Sequence, residues 1–260
     1  MSPDSEAASP PAETDEARKA GPGRPGERPE PQQLAAAWSV HLFTATGAVV
    51  GTMALLAIFA GDYDRAAILM LVALAIDSVD GTLARRARVS EVIPGFDGRR
   101  LDDMVDFFNY VLVPMVFLVT AGLVSSWLWI IPPILASAYG FSQDDAKTED
   151  DFFLGFPSYW NVVALYLWIL GVSPAASAGI LLVLSIAVFV PLKYVYPSKA
   201  PRLKRTTNTL GSLWVILFAV AVAFRDETAS FRLAECTLAY PAYYVAISAW
   251  LGGWRRPRRS

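Results

Sequence analysis

Asp77–Asp106 reads DSVDGTLARRARVSEVIPGFDGRRLDDMVD and joins the end of one apolar run to the start of the next. Four of its carboxylates stand in two pairs. Asp77 and Asp80 lie three apart, and Asp102 and Asp106 lie four apart. On helices both spacings put the pair on one face. Carboxylates at or near lipid are costly unless solvated, paired or bound to metal. Gathering four of them at two helix ends therefore points to a site for divalent cations. Gly81 follows Asp80 directly and has no Cβ to keep a ligand away. Ala84 is small on the next turn, and Arg85 offers a fixed, fork-shaped cation suited to phosphate. Gly98 precedes the second acidic pair.

Composition narrows what such a site can be. Apolar residues make up 54% of the chain and charged ones only 18%, which fits a polytopic membrane protein better than a soluble domain. A formal net charge of −2 gives no electrostatic footprint for nucleic acid. One cysteine, Cys236, and one histidine, His41, exclude an internal disulfide framework and any Cys- or His-rich metal site. A metal here has oxygen ligands, which points to Mg²⁺, Mn²⁺ or Ca²⁺.

Residues 1–33 are rich in Pro, Glu, Ala, Gly and Arg and read as a disordered tail. From Leu34 the chain is apolar almost throughout. Eight runs are expected to form transmembrane helices, at about 36–60, 64–84, 102–123, 125–142, 157–171, 174–195, 208–224 and 237–253. The domain they form spans 34–254, and residues 255–260 are a basic tail. The fifth run is short, so six or seven spans is the alternative count. Arg85, Arg86, Arg88, Arg99 and Arg100 crowd the loop after the second run. Lys193, Lys199, Arg202, Lys204 and Arg205 crowd the one after the sixth. Positive charge marks cytoplasmic loops, so both termini and the acidic stretch are expected on the cytoplasmic side. The expected fold class is all-α, a polytopic integral membrane protein.

Two acidic pairs could hold two ions roughly 3.5–4 Å apart, the spacing that clamps a diphosphate. Such a clamp neutralises charge on a transferring phosphorus and its leaving group. A carboxylate not fully used by metal could take the proton of an attacking alcohol. Asp77-x₂-Asp80-Gly81-x₂-Ala84-Arg85 followed by Gly98-x₃-Asp102-x₃-Asp106 resembles the signature of the CDP-alcohol phosphotransferases at all eight positions. These are integral membrane enzymes that cleave a CDP-linked pyrophosphate, transfer the phosphoryl-bearing group to an alcohol and release CMP. The resemblance implies that fold. It implies metal ligation by Asp77, Asp80, Asp102 and Asp106, with Asp106 also the catalytic base. It implies a CDP pocket formed by Asp77, Asp80, Gly81, Ala84, Arg85 and Gly98.

Twelve residues separate Arg85 from Gly98, where most of that family has eight or nine. This spacing resembles the bacterial phosphatidylcholine synthase branch. So do DFFNYVLVP at 106–114, FFLGFPSYWNVVALYL at 152–167, YPSKAPRLKRTTN at 196–208 and a count of eight helices. The branch implies CDP-diacylglycerol–choline O-phosphatidyltransferase activity. Its partners would be CDP-diacylglycerol, choline and membrane lipid, and its cofactor two ions of Mn²⁺ (or Mg²⁺). It further implies placement in the bacterial inner membrane and a homodimer, the state of many relatives.

A quaternary ammonium is held by aromatic faces, aided by carboxylates. Tyr139–Asn161 interleaves Tyr139, Phe141, Phe152, Phe153, Phe156, Tyr159 and Trp160 with Asp144, Asp145, Glu149, Asp150 and Asp151. Tyr110 stands one turn beyond Asp106. Tyr110, Tyr139, Tyr159 and Trp160 are the candidate choline contacts, although aromatics also collect at membrane interfaces for other reasons. His41 and Thr44 lie on the first helix, as nucleotide contacts or as an interhelical polar pair. The rivals are the same chemistry on serine, inositol or glycerol phosphate, an ion or lipid transporter, and a membrane scaffold. Anionic acceptors want basic residues where this loop is acidic. Transport favours repeat symmetry and midplane charge, which the sequence lacks. A scaffold leaves the carboxylates unexplained.

Overall fold

The structure is a computed structural model and describes residues 29–143, 152–191, 193–195 and 204–251. Residues 1–28, the loop acids Asp144, Asp145, Glu149, Asp150 and Asp151, the loop cations Lys199 and Arg202, and the tail at 255–260 lie outside the described residues.

Helix α1 spans Pro31–Phe59. It begins three residues before the apolar run because its cap is polar. Pro31 takes the first helical position, where no N–H is needed, and the Glu30 N–H donates to Gln33 Oε1 at 3.1 Å. Gly61, with φ +74°, makes the turn into α2, Tyr63–Arg86. Asp62 caps α2 by accepting the Arg65 N–H at 3.1 Å. Arg88, in the left-handed region, starts the short helix α3, Val89–Val92. Asp97 then caps α4, Gly98–Thr120, accepting the Arg99 and Arg100 N–H groups at 3.1 and 3.2 Å.

Helix α4 is not regular. Phe108–Leu112 form a π turn, in which the Val113 N–H donates to Phe108 O. Pro114 follows. It has no N–H for the carbonyl four residues earlier, and its ring crowds that carbonyl. The turn ahead of it therefore widens.

The remaining elements are α5 (Trp127–Phe141), β1 (Phe152–Leu154), α6 (Trp160–Ile169), α7 (Pro174–Phe189), β2 (Lys193–Val195) and α8 (Lys204–Ala223). The chain continues through α9 (Arg225–Thr228), α10 (Leu233–Thr237) and α11 (Ala239–Leu251). Every one of the eight expected runs thus contains a helix. The sixth departs from expectation at its end. Val190 has an extended ψ of 120° before Pro191, which disfavours helix, and Lys193–Val195 pairs antiparallel with Phe152–Leu154 instead.

Among the described residues four helices are long and apolar enough to cross a membrane: Pro31–Phe59, Tyr63–Arg86, Gly98–Thr120 and Arg205–Ala223. Trp127–Phe141, Trp160–Ile169 and Pro174–Phe189 are shorter apolar helices. The shared core contains Phe117, Met115, Leu118, Trp160, Leu165, Leu181 and Phe218. Around it, Leu42, Phe59, Val183 and Trp250 are more than half exposed, an arrangement suited to lipid rather than water.

Two close approaches place the site. A Cβ on Gly51 would run into Asn109 Oδ1 and lie 2.7 Å from Phe108 Cε1, and one on Gly47 would lie 2.9 Å from Val105 Cγ1. This small-x₃-small pair lets α4 seat its π turn directly on α1. The Asn109 Nδ2–H donates to the Gly47 carbonyl at 3.0 Å and fixes the register between the two helices.

Candidate metal centre

The four acids converge where α2 ends and α4 begins. Asp77, Asp102 and Asp106 each offer a carboxylate oxygen, and these oxygens all lie within 4.8 Å of one another. Asp80 is 5% exposed and within hydrogen-bond reach of Thr44, of the Gly81 backbone and of Asp102. Asp106 is likewise within reach of Asp77. Thr44, Gly47, Asp77, Asp80, Asp106, Asn109 and Tyr110 line one cleft. Two unit charges of like sign 4 Å apart repel by about 4 kcal/mol at a near-surface dielectric. Carboxylates crowded like this are relieved by a bound cation or by taking up a proton. All the donors are hard oxygens, which fits a divalent ion of the Mg²⁺, Mn²⁺ or Ca²⁺ type.

The signature residues around the acids divide into two groups. Gly81 is open: a Cβ there would meet only the Arg85 guanidinium, at 3.4 Å. Arg85 is exposed, with its guanidinium donating to Thr82 Oγ1 at 3.1 Å. These two leave room beside the acids for an anionic ligand. Gly98 and Ala84 are instead half-buried, each with protein against it. A Cβ on Gly98 would lie 2.6 Å from His41 Cε1. Ala84 packs with Leu83, Ala87, Val92 and Ile93 around Val89, Ala37 and Val40. His41 is 6% exposed, between Phe96 at 4.4 Å and Trp38 at 5.8 Å between ring centroids, and its Nε2 is buried without a hydrogen-bond partner.

Of the four aromatic candidates, Tyr110 meets an acid and Tyr159 meets Tyr110. Tyr110 is 4% exposed and its hydroxyl donates to Asp77. The Tyr159 ring meets it edge-on, with centroids 6.2 Å apart. Trp160 is a core residue: it is fully buried, donates its indole N–H to Ser137 Oγ at 2.6 Å, and packs on Phe156. Tyr139 is 49% exposed and packs against Phe189 of α7, 4.9 Å between centroids. Asn161 is buried on the first turn of α6, and its Oδ1 has no hydrogen-bond partner.

Sequence reasoning did not single out Asn109, which lines the cleft and ties α4 to Gly47. Its signal was a lone amide three residues after Asp106 in an otherwise apolar run. Pro114, four residues beyond Tyr110, was the one sequence signal for the π turn that carries it.

No protein-family profile matches the chain. Individual proteins do. A phosphatidylcholine synthase of Borreliella burgdorferi is 34% identical over 222 residues, covering 84% of this chain and 95% of the relative. One of Legionella bozemanae is 43% identical over 210 residues, covering 77% and 97%. One of Legionella pneumophila is 43% identical over 171 residues, covering 64% and 67%.

Proposed function

The chain belongs to the phosphatidylcholine synthase family, of the CDP-alcohol phosphotransferase kind, and we propose that it transfers the phosphatidyl group of CDP-diacylglycerol to choline at the acidic cleft, releasing CMP. It is an enzyme that makes phosphatidylcholine. The observation that carries the chemical reading is the convergence of Asp77, Asp102 and Asp106 within 4.8 Å, with Asp80 in reach of Asp102, beside the cleft that Asp77, Asp80, Asp106 and Tyr110 line.

In this reading Asp77, Asp80, Asp102 and Asp106 hold two divalent ions, Mn²⁺ or Mg²⁺. Bound there, the ions would neutralise the pyrophosphate and the charge that develops on the leaving phosphate. The protein's own groups do the rest. Gly81 leaves space for the pyrophosphate to approach α2, and Arg85 pairs with a phosphate oxygen. Asp106 accepts the proton of the choline hydroxyl as its oxygen attacks the phosphorus bearing diacylglycerol, and CMP departs. Ala84 and Gly98 shape the wall of the CDP pocket from behind, through α3 and His41. Tyr110 bonds to Asp77 and Tyr159 packs on Tyr110, and this aromatic pair is the assigned seat of the trimethylammonium group. Tyr139 and Trp160 are not needed for it.

The eight apolar runs are read as eight crossings, with the bilayer thinned around the short ones, and with 34–254 as the catalytic domain. The arginines at the acidic end put the cleft and both tails on the cytoplasmic side of the bacterial inner membrane. CDP-diacylglycerol enters sideways, its acyl chains remaining in lipid.

Purified protein supplied with CDP-diacylglycerol, Mn²⁺ and labelled choline is expected to yield labelled phosphatidylcholine and one CMP per product. Labelled serine or inositol entering lipid in place of choline would overturn the acceptor assignment. Product without CMP would overturn the phosphatidyl transfer.

A further inference from the structure

The hydroxyl of Tyr110 is a group that the transfer itself does not use. Tyr110 is 4% exposed, so the hydroxyl was taken out of water, and a buried phenol requires a partner. It donates to Asp77 Oδ2 from across the cleft, linking α4 to the first acidic pair on α2. Asp77 is one of the three carboxylates whose oxygens converge within 4.8 Å. The backbone at Tyr110 is the π turn, and Asn109 beside it is held to α1 by its bond to the Gly47 carbonyl at 3.0 Å. The Tyr159 ring closes the other side of Tyr110 at 6.2 Å. The phenol is therefore pinned by three elements before any ligand arrives, and its one hydrogen bond is spent on a carboxylate. A carboxylate that must hold a cation has two oxygens, and an outer donor on one of them decides which oxygen, and which lone pair, faces the ion.

We propose that Tyr110 is a positioning residue whose hydroxyl orients Asp77 for divalent-cation binding, with the π turn of α4 setting its reach. The assignment rests on the reading of the acidic cluster as a metal centre. It separates two roles within one side chain. The ring contributes aromatic surface for the acceptor, and the O–H acts only through Asp77. Removing the O–H while keeping the ring should weaken the ion and leave the alcohol untouched.

The test compares unmodified protein, Tyr110→Phe and Asp102→Ala in lipid nanodiscs. Mn²⁺ binding is read directly from loss of the free-ion paramagnetic resonance signal, without substrates. Tyr110→Phe is expected to raise the Mn²⁺ dissociation constant about 10- to 100-fold. The Mn²⁺ concentration for half-maximal CMP release should rise in parallel, and the choline KM should stay within about twofold. The metal-free unfolding temperature should fall no further than the loss of one hydrogen bond brings, while the upward shift that Mn²⁺ gives the unmodified protein shrinks. Mn²⁺ affinity unchanged in Tyr110→Phe, with or without a raised choline KM, overturns the proposal. Failure of the metal reading looks different. In that case the unmodified protein binds no Mn²⁺ and Asp102→Ala is indistinguishable from it, and the brace falls with it.

Discussion

Gly98→Ala asks what the signature glycine is for. The added Cβ would sit 2.6 Å from His41 Cε1 and 3.3 Å from Nδ1. Carbon atoms in good contact lie about 3.5–4.0 Å apart, so roughly 1 Å of space must be found. The imidazole cannot supply it easily, because it is 6% exposed, with Phe96 on one side at 4.4 Å and Trp38 on another at 5.8 Å. Overpacking of this kind costs about 1–3 kcal/mol. If α4 yields instead, it carries Asp102 and Asp106 with it, one and two turns further along. A displacement near 1 Å in a reacting constellation can cost about 100-fold. CMP release by Gly98→Ala should therefore fall about 10- to 100-fold in kcat/KM. Trimming the obstacle should restore the space. His41→Ala alone should be milder, and Gly98→Ala/His41→Ala should recover at least about tenfold over Gly98→Ala, a coupling near 1.4 kcal/mol. A double variant as impaired as Gly98→Ala would refute the reasoning. The glycine would then be serving the direct approach of the nucleotide, not the fit of the imidazole.

Asp80→Ala and Asp102→Ala should each abolish CMP release and Mn²⁺ stimulation, and near-normal turnover in either would remove that residue from the metal centre. Asp106→Asn should keep CDP-diacylglycerol binding while losing turnover by at least about 100-fold; equal loss of binding would strip Asp106 of the base role. Trp160→Phe deletes the 2.6 Å bond to Ser137. It should cost about 1–3 kcal/mol of stability, read as a lower unfolding temperature, with choline KM unchanged. A raised KM at full stability would return Trp160 to the acceptor site. Gly51→Ala presses on Asn109 and Phe108 and should lower turnover at least about tenfold by parting α1 from the π turn.

The helices were legible because apolar runs of membrane-spanning length are bounded by strong breakers. Each of the eight runs holds a helix, while the bounds shifted where local caps decide them, at Glu30–Gln33 and at Val190–Pro191. The two acidic pairs were legible as pairs because helical spacing fixes their shared faces. That Asp80 would share its hydroxyl partner with α1, and that Tyr110 would give its hydroxyl to Asp77, depends on contacts between helices far apart in sequence. A one-dimensional pattern carries no such information. Trp160 illustrates the same limit. Beside Tyr159 in an aromatic-acidic segment it looks like part of a cation site, yet the backbone rotates from a non-helical Tyr159, ψ 56°, into the helix at Trp160. Here that rotation buries Trp160 on Ser137 while Tyr159 meets Tyr110.

The twelve residues between Arg85 and Gly98 pose the remaining structural question, since extra chain between two acidic pairs could loosen their geometry. Loop closure grows costlier with length, and an unanchored connection would let α4 slide against α2. The structure answers with a second, small core. Val89 of α3 is buried on Ala37 and Val40 of α1, with Leu83, Ala84, Val92 and Ile93 around it, and Phe96 covers His41. Both ends of the connection are thus tied to α1, the helix that also receives Asn109 at Gly47 and offers Thr44 to Asp80. The insertion adds an anchor and not slack. Its apolar residues bear on Ala84 and lie beside the His41–Gly98 contact. Val89→Ser would put a hydroxyl into this small core and loosen α3. Turnover and the Gly98→Ala penalty should then both shrink, because His41 would gain room to move. If the penalty for Gly98→Ala stays the same in that background, the connection does not brace the site, and α1 alone must set the distance between the two pairs.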